Sequence, residues 1–408
     1  MINVAILGYG TVGSGVYEVI LNNNKKQKAE EKKLTVKRIL DIRDFPELPH
    51  RDLFTKEYSD IVNDPQINIV VEVMGGEHPA YEFTKQALEA GKHVVTSNKE
   101  LVAKHGAELL NLAKQKNVNY MFEASVGGGI PIIRPLNQCL AANEIYEIIG
   151  ILNGTTNYIL SQMINEGKSF ETALADAQEK GYAERNPDAD ILGIDACRKI
   201  AILASLACHK NVDSELVHTE GITKITLEDV SFASKMGSVI KLLGVFKRVE
   251  DKIAVRVSPM LIPKDHPLAG VEDVFNGIFV KGNAIGDLMF YGRGAGKFPT
   301  ASAVVADVID ISRNIDRNKP LIWNVTNEDF IMDYNEVAVA YYVRLQVNGD
   351  VEDTVNTVFG SCEIIEKQDE VAFQTPVGKD GELMDKINAL PGKKGVVKVL
   401  STIRVLTD

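Results

Sequence analysis

The sequence contains few cysteines, one tryptophan and no long apolar run, and these absences exclude whole classes of protein. The cysteines show neither C-x-x-C spacing nor a cluster with histidine, so we expect no disulfide framework and no zinc site. They are Cys139, Cys197, Cys208 and Cys362. No apolar stretch approaches the ~20 residues of a membrane-spanning helix, and the opening residues, MINVAILGYG, lack the features of a secretion signal. We therefore expect a cytoplasmic protein with reduced thiols and no membrane partner.

Basic residues are also fewer than acidic ones. The chain has 45 lysines and arginines against 56 aspartates and glutamates, which gives a net charge of −11. Such a surface repels nucleic acid and anionic membranes, so neither is an expected partner. The 408 residues, of which 45% are hydrophobic and 25% charged, indicate a globular protein of two or three domains.

Residues 1–128 alternate short segments rich in Val and Ile with stretches of helical length, such as 79–90 and 100–116. The strand-like segments are NVAILG, LTVKRIL, INIVVEVMGG, HVVTSNK and VNYMFEAS. Strands that alternate with helices predict an α/β domain with a doubly wound parallel sheet of the Rossmann type. The polar stretch 22–33 predicts a surface helix or loop.

A glycine motif follows the first predicted strand. Gly8, Gly10 and Gly13 form G-x-G-x-x-G where a helix is expected to begin. Here the glycines allow a tight turn, close approach of the backbone to a pyrophosphate and close helix–strand packing, while the helix N-terminus offers free N–H groups. We therefore predict a dinucleotide site that includes Thr11 and Val12 of the same turn.

The end of the second predicted strand bears on the choice of nucleotide. Asp41 could accept a hydrogen bond from a ribose 2′-hydroxyl, which favours NAD, whereas Arg43 could pair with a 2′-phosphate, which favours NADP. The strand register, which would decide whether they face each other, does not follow from the sequence; our prediction favours NADP because of Arg43. Ser97 and Lys99 follow the fourth predicted strand, at the edge where such sheets bind ligands, although most lysines are surface residues.

The remaining chain divides by composition. Glycine-rich turns, helical runs and strand-like pieces over residues 129–299 predict an α+β domain, and residues 300–320 predict a helix that packs back on the first domain. Residues 321–337 are typical of a linker. The last segment, 338–408, alternates in the order β-α-β-β-α-β, which is the ferredoxin-like arrangement.

Charged residues crowd into GYAERNPDADILGIDACRK, residues 181–199, directly before an apolar helical run. If a helix begins near Gly193, Asp195 and Lys199 share one face. The same face continues through Ile202 and Leu206 into apolar protein. One interpretation is a buried structural ion pair, which adds little net stability. The other is a lysine that Asp195 holds at the floor of a cleft.

Three carboxylates precede this pair, on Glu184, Asp188 and Asp190, and Pro187 is expected to keep their segment from forming a helix. An acidic loop beside one positioned lysine suits a zwitterionic substrate. Carboxylates would hold its ammonium group while the lysine addresses an oxygen.

Residues 177–199, AQEKGYAERNPDADILGIDACRK, resemble the signature of the homoserine dehydrogenase family along their whole length. Other family motifs have counterparts here in GYGTVGSGV, TSNKEL, FEASVGGGIPII, GILNGTTNYIL and MFYGRGAGKFPTAS. The resemblance covers about the first 325 residues, and residues 338–408 resemble the ACT domain of many bacterial members.

This resemblance implies an enzyme that interconverts aspartate 4-semialdehyde and homoserine with NADP or NAD, on the route to threonine, methionine and isoleucine. It implies that Lys199 is the general acid/base, that Asp195 orients Lys199, and that Lys99 is a second active-site lysine between substrate and cofactor. The substrate-binding residues that it implies are Glu184, Asp190, Tyr182 and Thr155.

The family also implies a homodimer or higher homo-oligomer and a monovalent cation, such as sodium, held by carbonyl oxygens. The matching cation positions are Glu123, Val126, Gly128 and Ile130.

The ACT-like segment departs from the family pattern in one respect. No glycine stands near residues 352–353, where the backbone of such domains approaches an effector. Regulation by threonine therefore stays open, and a structural or dimerising role gains weight.

Two other functions compete with this interpretation. A catalytically silent NADP-binding regulator would need no general acid, so Lys199 and Asp195 argue against it. An aspartate dehydrogenase is disfavoured by the segments NGTTN and NPDADILGID, which favour homoserine as the substrate.

Overall fold

The computed structural model of the chain describes residues 2–26, 33–321 and 323–407. The first helix includes the polar stretch as far as Lys26, and the prediction for residues 27–32 falls outside the described residues. Within the described ranges, no helix is both long and apolar enough to cross a membrane.

The N-terminal region is built on a six-stranded sheet whose strands all run parallel. Its strands are β1 (Ile2–Leu7), β2 (Leu34–Leu40), β3 (Phe54–Thr55), β4 (Ile69–Glu72), β5 (His93–Thr96) and β6 (Tyr120–Met121). Its helices are α1 (Thr11–Lys26), α2 (Ser59–Val62), α3 (Ala80–Glu89) and α4 (Lys99–Gln115). The predicted doubly wound parallel sheet is confirmed, and the two-residue strand β3 is too short to leave a signal in the sequence.

The strand order β3-β2-β1-β4-β5-β6 reverses direction between β1 and β4. In open parallel sheets, ligands bind outside the carboxyl ends of the strands at such a reversal. The glycine motif after β1 and the residues after β5 both lie at these carboxyl ends.

The middle region combines helices with a mixed sheet. Its strands are β7 (Ile145–Ile151), β8 (His218–Thr219), β9 (Ser238–Val249), β10 (Lys252–Pro263), β11 (Phe275–Gly282) and β12 (Gly286–Arg293). Its helices are α5 (Gly154–Glu166), α6 (Phe170–Glu179), α7 (Asp188–Ile191), α8 (Ile194–Cys208), α9 (Leu227–Lys235) and α10 (Lys297–Arg313). Helix α8 is apolar along most of its length and is buried against β7, β9 and β10, which explains the apolar run that follows Lys199.

Helix α10 returns to the N-terminal sheet. Its residues Ala301, Val304 and Val308 are fully buried in the apolar core that β1 and β2 also form. It also packs closely on α1, because a Cβ at Gly15 would lie 2.9 Å from the carbonyl oxygen of Lys297. The N-terminal and middle regions are thus joined at two places in the chain.

The C-terminal region follows the predicted order β-α-β-β-α-β, with one short extra strand. Its elements are β13 (Ala338–Val347), α11 (Glu352–Phe359), β14 (Ile364–Lys367), β15 (Glu370–Gln374), β16 (Gly378–Lys379), α12 (Asp380–Asn388) and β17 (Val396–Val405). Its strands continue the sheet of the middle region in the order β12-β11-β7-β9-β10-β17-β13-β15-β14. The joint is a short parallel pairing of β10 with β17, in which Met260 lies opposite Arg404.

The described residues of the predicted linker, 321 and 323–337, pack along the rest of the chain. Trp323 is buried against Gly106 of α4, and its indole N–H donates to Asn211 Oδ1 at 2.9 Å. Further on, Ile331 forms a parallel bridge with Ile253 at the start of β10. The segment therefore ties α4 of the N-terminal region to the central sheet.

Candidate active site

The carboxylate of Asp195 receives two lysines. Helix α8 begins directly after Gly193, whose φ of 83° favours glycine. One turn into the helix, the Lys199 ammonium donates to Asp195 Oδ2 at 2.8 Å and to the carbonyl oxygen of Leu152 at 2.8 Å. The Lys99 ammonium, from the first residue of α4, pairs with the other oxygen, Asp195 Oδ1. Asp195 and Lys199 are 3% and 7% exposed, so the ion pair predicted from the spacing is present and buried.

Burial and charge act on these three groups in different directions. Burial by itself raises the pKa of Asp195, but the charges of Lys199 and Lys99 outweigh it and hold that pKa below its usual value. Burial also lowers the pKa of Lys199, Asp195 opposes this, and the charge of Lys99 lowers it further, so the pKa of Lys199 falls. For Lys99, burial is outweighed by Asp195, and its pKa is raised. The two lysines therefore differ: Lys99 stays charged, and Lys199 releases its proton more readily.

Asn153 is a member of the site that the sequence analysis missed. Its side-chain oxygen accepts from the N–H of Thr156 at 2.8 Å and so caps helix α5. Its amide nitrogen donates to Asp195 Oδ2 at 2.8 Å and to Asp190 Oδ1 at 2.7 Å. One buried amide thus holds both carboxylates. The signal available in the sequence was an Asn directly before a helical run, which is typical of an N-cap.

A second missed contact fixes the two lysine-bearing helices to each other. Arg198 of α8 pairs with Glu100 of α4 at 2.8 Å. These residues are the chain neighbours of Lys199 and Lys99. The ion pair therefore helps to keep the N-terminal and middle regions in the arrangement that brings both lysines to Asp195.

The acidic segment before α8 differs in part from the prediction. Asp188 and Asp190 lie on the one-turn helix α7, which begins directly after Pro187. Proline is tolerated at a helix start, since its missing N–H would have no intrahelical partner there, so the expectation of a helix-free loop was wrong for these two residues. Burial raises the pKa of Asp190, which is partly offset by its hydrogen bond with Asn153.

The remaining predicted substrate residues lie at the edge of this cluster. The Thr155 hydroxyl donates to the carbonyl oxygen of Tyr182 at 2.7 Å, which ties α5 to the acidic segment. The Tyr182 ring is 44% exposed and packs edge-on against Tyr158. Glu184 is exposed, and within the described residues its side chain makes no hydrogen bond or ion pair. The structure thus joins Thr155 and Tyr182 to the site and leaves Glu184 facing solvent.

The three glycines after β1 meet three different steric demands. Gly8 has a φ of 95°. A Cβ at Gly13 would lie 1.9 Å from the carbonyl oxygen of Gly8, so helix α1 can pack this close only with glycine here. A Cβ at Gly10 would meet no atom within 4 Å, so this glycine opens space above the turn. With Thr11 and Val12 in the first turn of α1, the turn has the shape that a nucleotide pyrophosphate requires.

Asp41 and Arg43 face each other, contrary to the alternative that they point to opposite faces. Arg43 donates to both oxygens of Asp41 at 2.9 Å from Nε and Nη2. Asp41 also accepts the N–H of Tyr9 at 2.7 Å, which links it to the glycine turn. The hydrogen bond from Arg43 holds the pKa of Asp41 at about 2 in spite of burial. At neutral pH the end of β2, which faces the predicted nucleotide site, is thus followed by an ion pair of Asp41 and Arg43 with no net charge.

The end of β5 leads directly into α4. Ser97 donates its N–H to the carbonyl oxygen of Glu72 at the end of β4, and Asn98 caps the helix through the N–H of Leu101 at 3.2 Å. The Glu72 carboxyl is fully buried; burial raises its pKa, and Thr96 donates to it at 2.6 Å. These contacts hold Lys99 at the carboxyl edge of the sheet.

The predicted cation segment forms a tight turn. A Cβ at Gly127 would lie 2.4 Å from the carbonyl oxygen of Ile130, and one at Gly128 would lie 2.2 Å from that of Gly294. The Glu123 carboxylate already accepts the backbone N–H groups of residues 132–134, at 2.6 to 2.8 Å. A cation in this turn would therefore have to be held by main-chain carbonyl oxygens. The backbone packs this closely only because residues 127 and 128 are glycines, and such packing is compatible with carbonyl ligands.

Comparison with known proteins identifies the family. A sequence profile for the NAD-binding domain of homoserine dehydrogenase matches residues 8–123, and a homoserine dehydrogenase profile matches residues 131–309. The chain belongs to the homoserine dehydrogenase family. It therefore has homoserine dehydrogenase activity, that of an NAD(P)-binding oxidoreductase in amino-acid biosynthesis, and the alternatives of a silent regulator and an aspartate dehydrogenase are set aside.

Individual homoserine dehydrogenases are similar over most of their length. The enzyme of Bacillus subtilis is 44% identical over 77% of this chain and 73% of its own, and that of Synechocystis 48% identical over 76% and 73%. A crystal structure of the Thiobacillus denitrificans enzyme covers 99% of this chain and 98% of its own, with 38% identity and a TM-score of 0.93. A hyperthermophilic archaeal homoserine dehydrogenase in complex with NADPH is 30% identical, covers 79% and 99%, and has a TM-score of 0.67.

Two of the glycines give a matched pair of variants. We expect Gly13→Ala to destabilise the fold by about 1–3 kcal/mol, because its methyl group overpacks the contact between β1 and α1. Gly10→Ala should change the free energy of unfolding by less than about 0.5 kcal/mol but weaken NADPH binding, since its methyl group fills the space above the turn. Thermal unfolding and NADPH fluorescence titration measure the two effects. Equal effects of both variants on stability would contradict this division of roles.

Proposed function

We propose that Lys199 carries the proton in the homoserine dehydrogenase reaction. The observation that carries the proposal is the buried arrangement of Lys99, Asp195 and Lys199, in which Lys199 is the group with the lowered pKa. In the oxidation direction, its neutral amine accepts the proton of the substrate hydroxyl. In the reduction direction, its ammonium stabilises the negative charge that grows on the carbonyl oxygen and then donates the proton.

Asp195 and Lys99 support this proton transfer in different ways. Asp195 fixes the direction of the Lys199 amine through the 2.8 Å hydrogen bond. Lys99 keeps its charge because its pKa is raised, so it supplies a permanent positive charge beside the developing alkoxide. Since its ammonium shares Asp195 with Lys199, the charge of Lys99 also helps to lower the pKa of Lys199.

The substrate ammonium is assigned to the acidic segment. Asp190 is linked to Asp195 through Asn153, so an ammonium bound at Asp190 lies beside the proton carrier. Glu184 is exposed and has its carboxylate free to approach a ligand, and Thr155 and Tyr182 border the same side. The nicotinamide cofactor, held by the glycine turn with Ser97 and Lys99, supplies the hydride chemistry when bound.

The first test is Lys199→Met. We expect kcat for homoserine oxidation to fall by about 10²–10⁴-fold, the usual contribution of a general acid/base, with NADPH binding unchanged. The protein should remain folded, because Asp195 keeps Lys99 as its partner and methionine avoids the cost of burying a charge. Steady-state kinetics and NADPH fluorescence titration measure these quantities. Turnover within a few-fold of the unaltered enzyme would rule out Lys199 as the proton carrier.

The second test is the pH profile of Lys99→Met. Oxidation needs neutral Lys199, so kcat/KM for homoserine should rise with pH through the pKa of Lys199, which lies below the usual lysine value. Removal of the Lys99 charge takes away an influence that lowers this pKa, so the rising limb should move to higher pH. Lys104→Met, on the exposed side of α4 and paired with Glu77, is the matched control and should leave the limb in place. A shift to lower pH would contradict the assignment.

We further propose that the enzyme prefers NADP. A cleft of about 470 Å³ opens beside the end of β2, and three cationic side chains, Arg43, Arg51 and Lys56, line it together with Asp41 and Asp44. Arg43 is 57% exposed in its side chain, so a 2′-phosphate can reach its guanidinium and replace Asp41 as its partner. The relative described as an NADPH complex supports the same choice.

Arg43→Ala tests this preference. Its loss removes a charge-assisted contact with the 2′-phosphate, worth about 1.5–3 kcal/mol, and uncovers the Asp41 carboxylate. We therefore expect kcat/KM for NADP, relative to NAD, to fall by about 10-fold or more. Lys37→Ala, on strand β2 and paired with Asp64 at 2.5 Å, should leave the ratio unchanged. An unchanged ratio in Arg43→Ala would refute the role of the arginine.

Four further assignments complete the proposal. The turn of Val126, Gly128 and Ile130 holds a monovalent cation such as sodium, next to Glu123, because its carbonyls lie in a glycine-tight backbone. The C-terminal region is an ACT-like domain, supported by its β-α-β-β-α-β order. The enzyme is a homodimer or larger homo-oligomer, for which the edge strand β12, with Tyr291 56% exposed, offers an unpaired strand edge. Free cysteines suit a cytoplasmic location.

A further inference from the structure

A cavity lies away from the candidate active site, between the sheet of the middle region and the C-terminal region. Its volume is about 350 Å³, and residues from β9, β10, β13 and β17 line it. Most of its wall is apolar, with side chains that include Val245, Met260, Met332, Val337 and Val339. The catalytic assignments above use none of these residues.

Two cationic groups in the cavity wall, Lys247 and Arg256, have only long ion pairs, and the more exposed Lys247 lies 3.7 Å from Glu147. The Arg256 side chain is 14% exposed, and its ion pair with Asp380 Oδ2 is long, at 3.7 Å. Within the described residues its guanidinium makes no hydrogen bond. A buried guanidinium with unused donors is costly unless an anion or water satisfies them.

Asp380 lies closer to other groups than to Arg256, and both its oxygens accept hydrogen bonds from them. Its Oδ2 accepts from Arg404 Nε at 2.7 Å, and its Oδ1 accepts from the Tyr341 hydroxyl at 2.9 Å and from Arg404 Nη2 at 3.3 Å. Arg404 is further paired with Glu220 at 2.6 Å. Burial, and then the neighbouring charge of Arg404, lower the pKa of Arg256 to about 10.

The two carboxylates that line the cavity, those of Glu147 and Glu336, are paired. Glu147 pairs with Lys281 at 2.9 Å, and Glu336 with Lys379 at 2.6 Å. The incompletely paired charge at the cavity is therefore positive, and Arg256 is its more buried member. An apolar chamber with one such guanidinium fits a ligand that has a carboxylate at one end and a short aliphatic chain at the other.

We propose that this cavity binds a small aliphatic carboxylate, whose oxygens pair with the Arg256 guanidinium and whose chain lies against the valines and methionines of the wall. The carboxylate belongs either to a simple organic acid or to an amino acid. The two sources share the chain and the carboxylate and differ in the ammonium group, so a pair of probes with one carbon skeleton separates them.

Isothermal titration of the full chain with 3-methylbutanoate and with L-valine tests the proposal, with 3-methylbutanamide as the uncharged control. We expect saturable binding of at least one acid, no binding of the amide, and an affinity about 10-fold or more weaker in Arg256→Met. Binding should persist in Lys199→Met, so the result does not depend on the proposed catalytic role. Absence of binding by both acids, equal binding of the amide, or unchanged affinity in Arg256→Met would each overturn the proposal.

Thermal unfolding separates a ligand-binding arginine from a structural one. Arg256→Met should keep or raise the unfolding temperature, because it removes a poorly paired buried charge. Arg344→Met is the control, since the Arg344 side chain is also mostly buried, 6% exposed against 14% for Arg256, but pairs with Asp229 at 3.0 Å and Glu370 at 2.8 Å. We expect that control to be clearly destabilised. A loss of stability in Arg256→Met as large as in the control would show that Arg256 serves the fold and would overturn the proposal.

Discussion

One carboxylate, that of Asp195, governs the arrangement of the proposed catalytic centre. It receives Lys199 from its own helix, Lys99 from the helix that follows β5, and the amide of Asn153 at the start of α5. Each of these partners comes from a different element, and Lys99 comes from the nucleotide-binding region. Because a buried carboxylate is stable only when such donors surround it, the fold must bring the N-terminal and middle regions together before the site exists.

The local parts of this site could be predicted from the sequence. Gly193 and the spacing of Asp195 and Lys199 determine a helix start and a shared face, which are short-range properties. The glycines after β1 likewise follow from one turn of backbone. The approach of Lys99 to Asp195, the Asn153 bridge and the Arg198–Glu100 pair depend on how distant helices pack, and no spacing within one segment contains that information.

Errors in the sequence analysis have the same origin. Asp188 and Asp190 are expected in a loop because proline breaks helices, yet Pro187 is the N-cap of α7, where its missing N–H would have no intrahelical partner. The relation of Asp41 to Arg43 could not be assigned because it depends on the turn after β2 and on the N–H of Tyr9. Resemblance to a family named the chemistry of these residues, but their mutual contacts required the tertiary structure.

The position of the last strand has a consequence for how the chain is made. β17 lies between β10 and β13, so the large sheet is incomplete until β17 is in place. During synthesis, the N-terminal sheet can fold early, whereas β13 keeps an unpaired edge until β17 has been made. A protein lacking β17 would therefore expose this edge of β13, a form prone to aggregation.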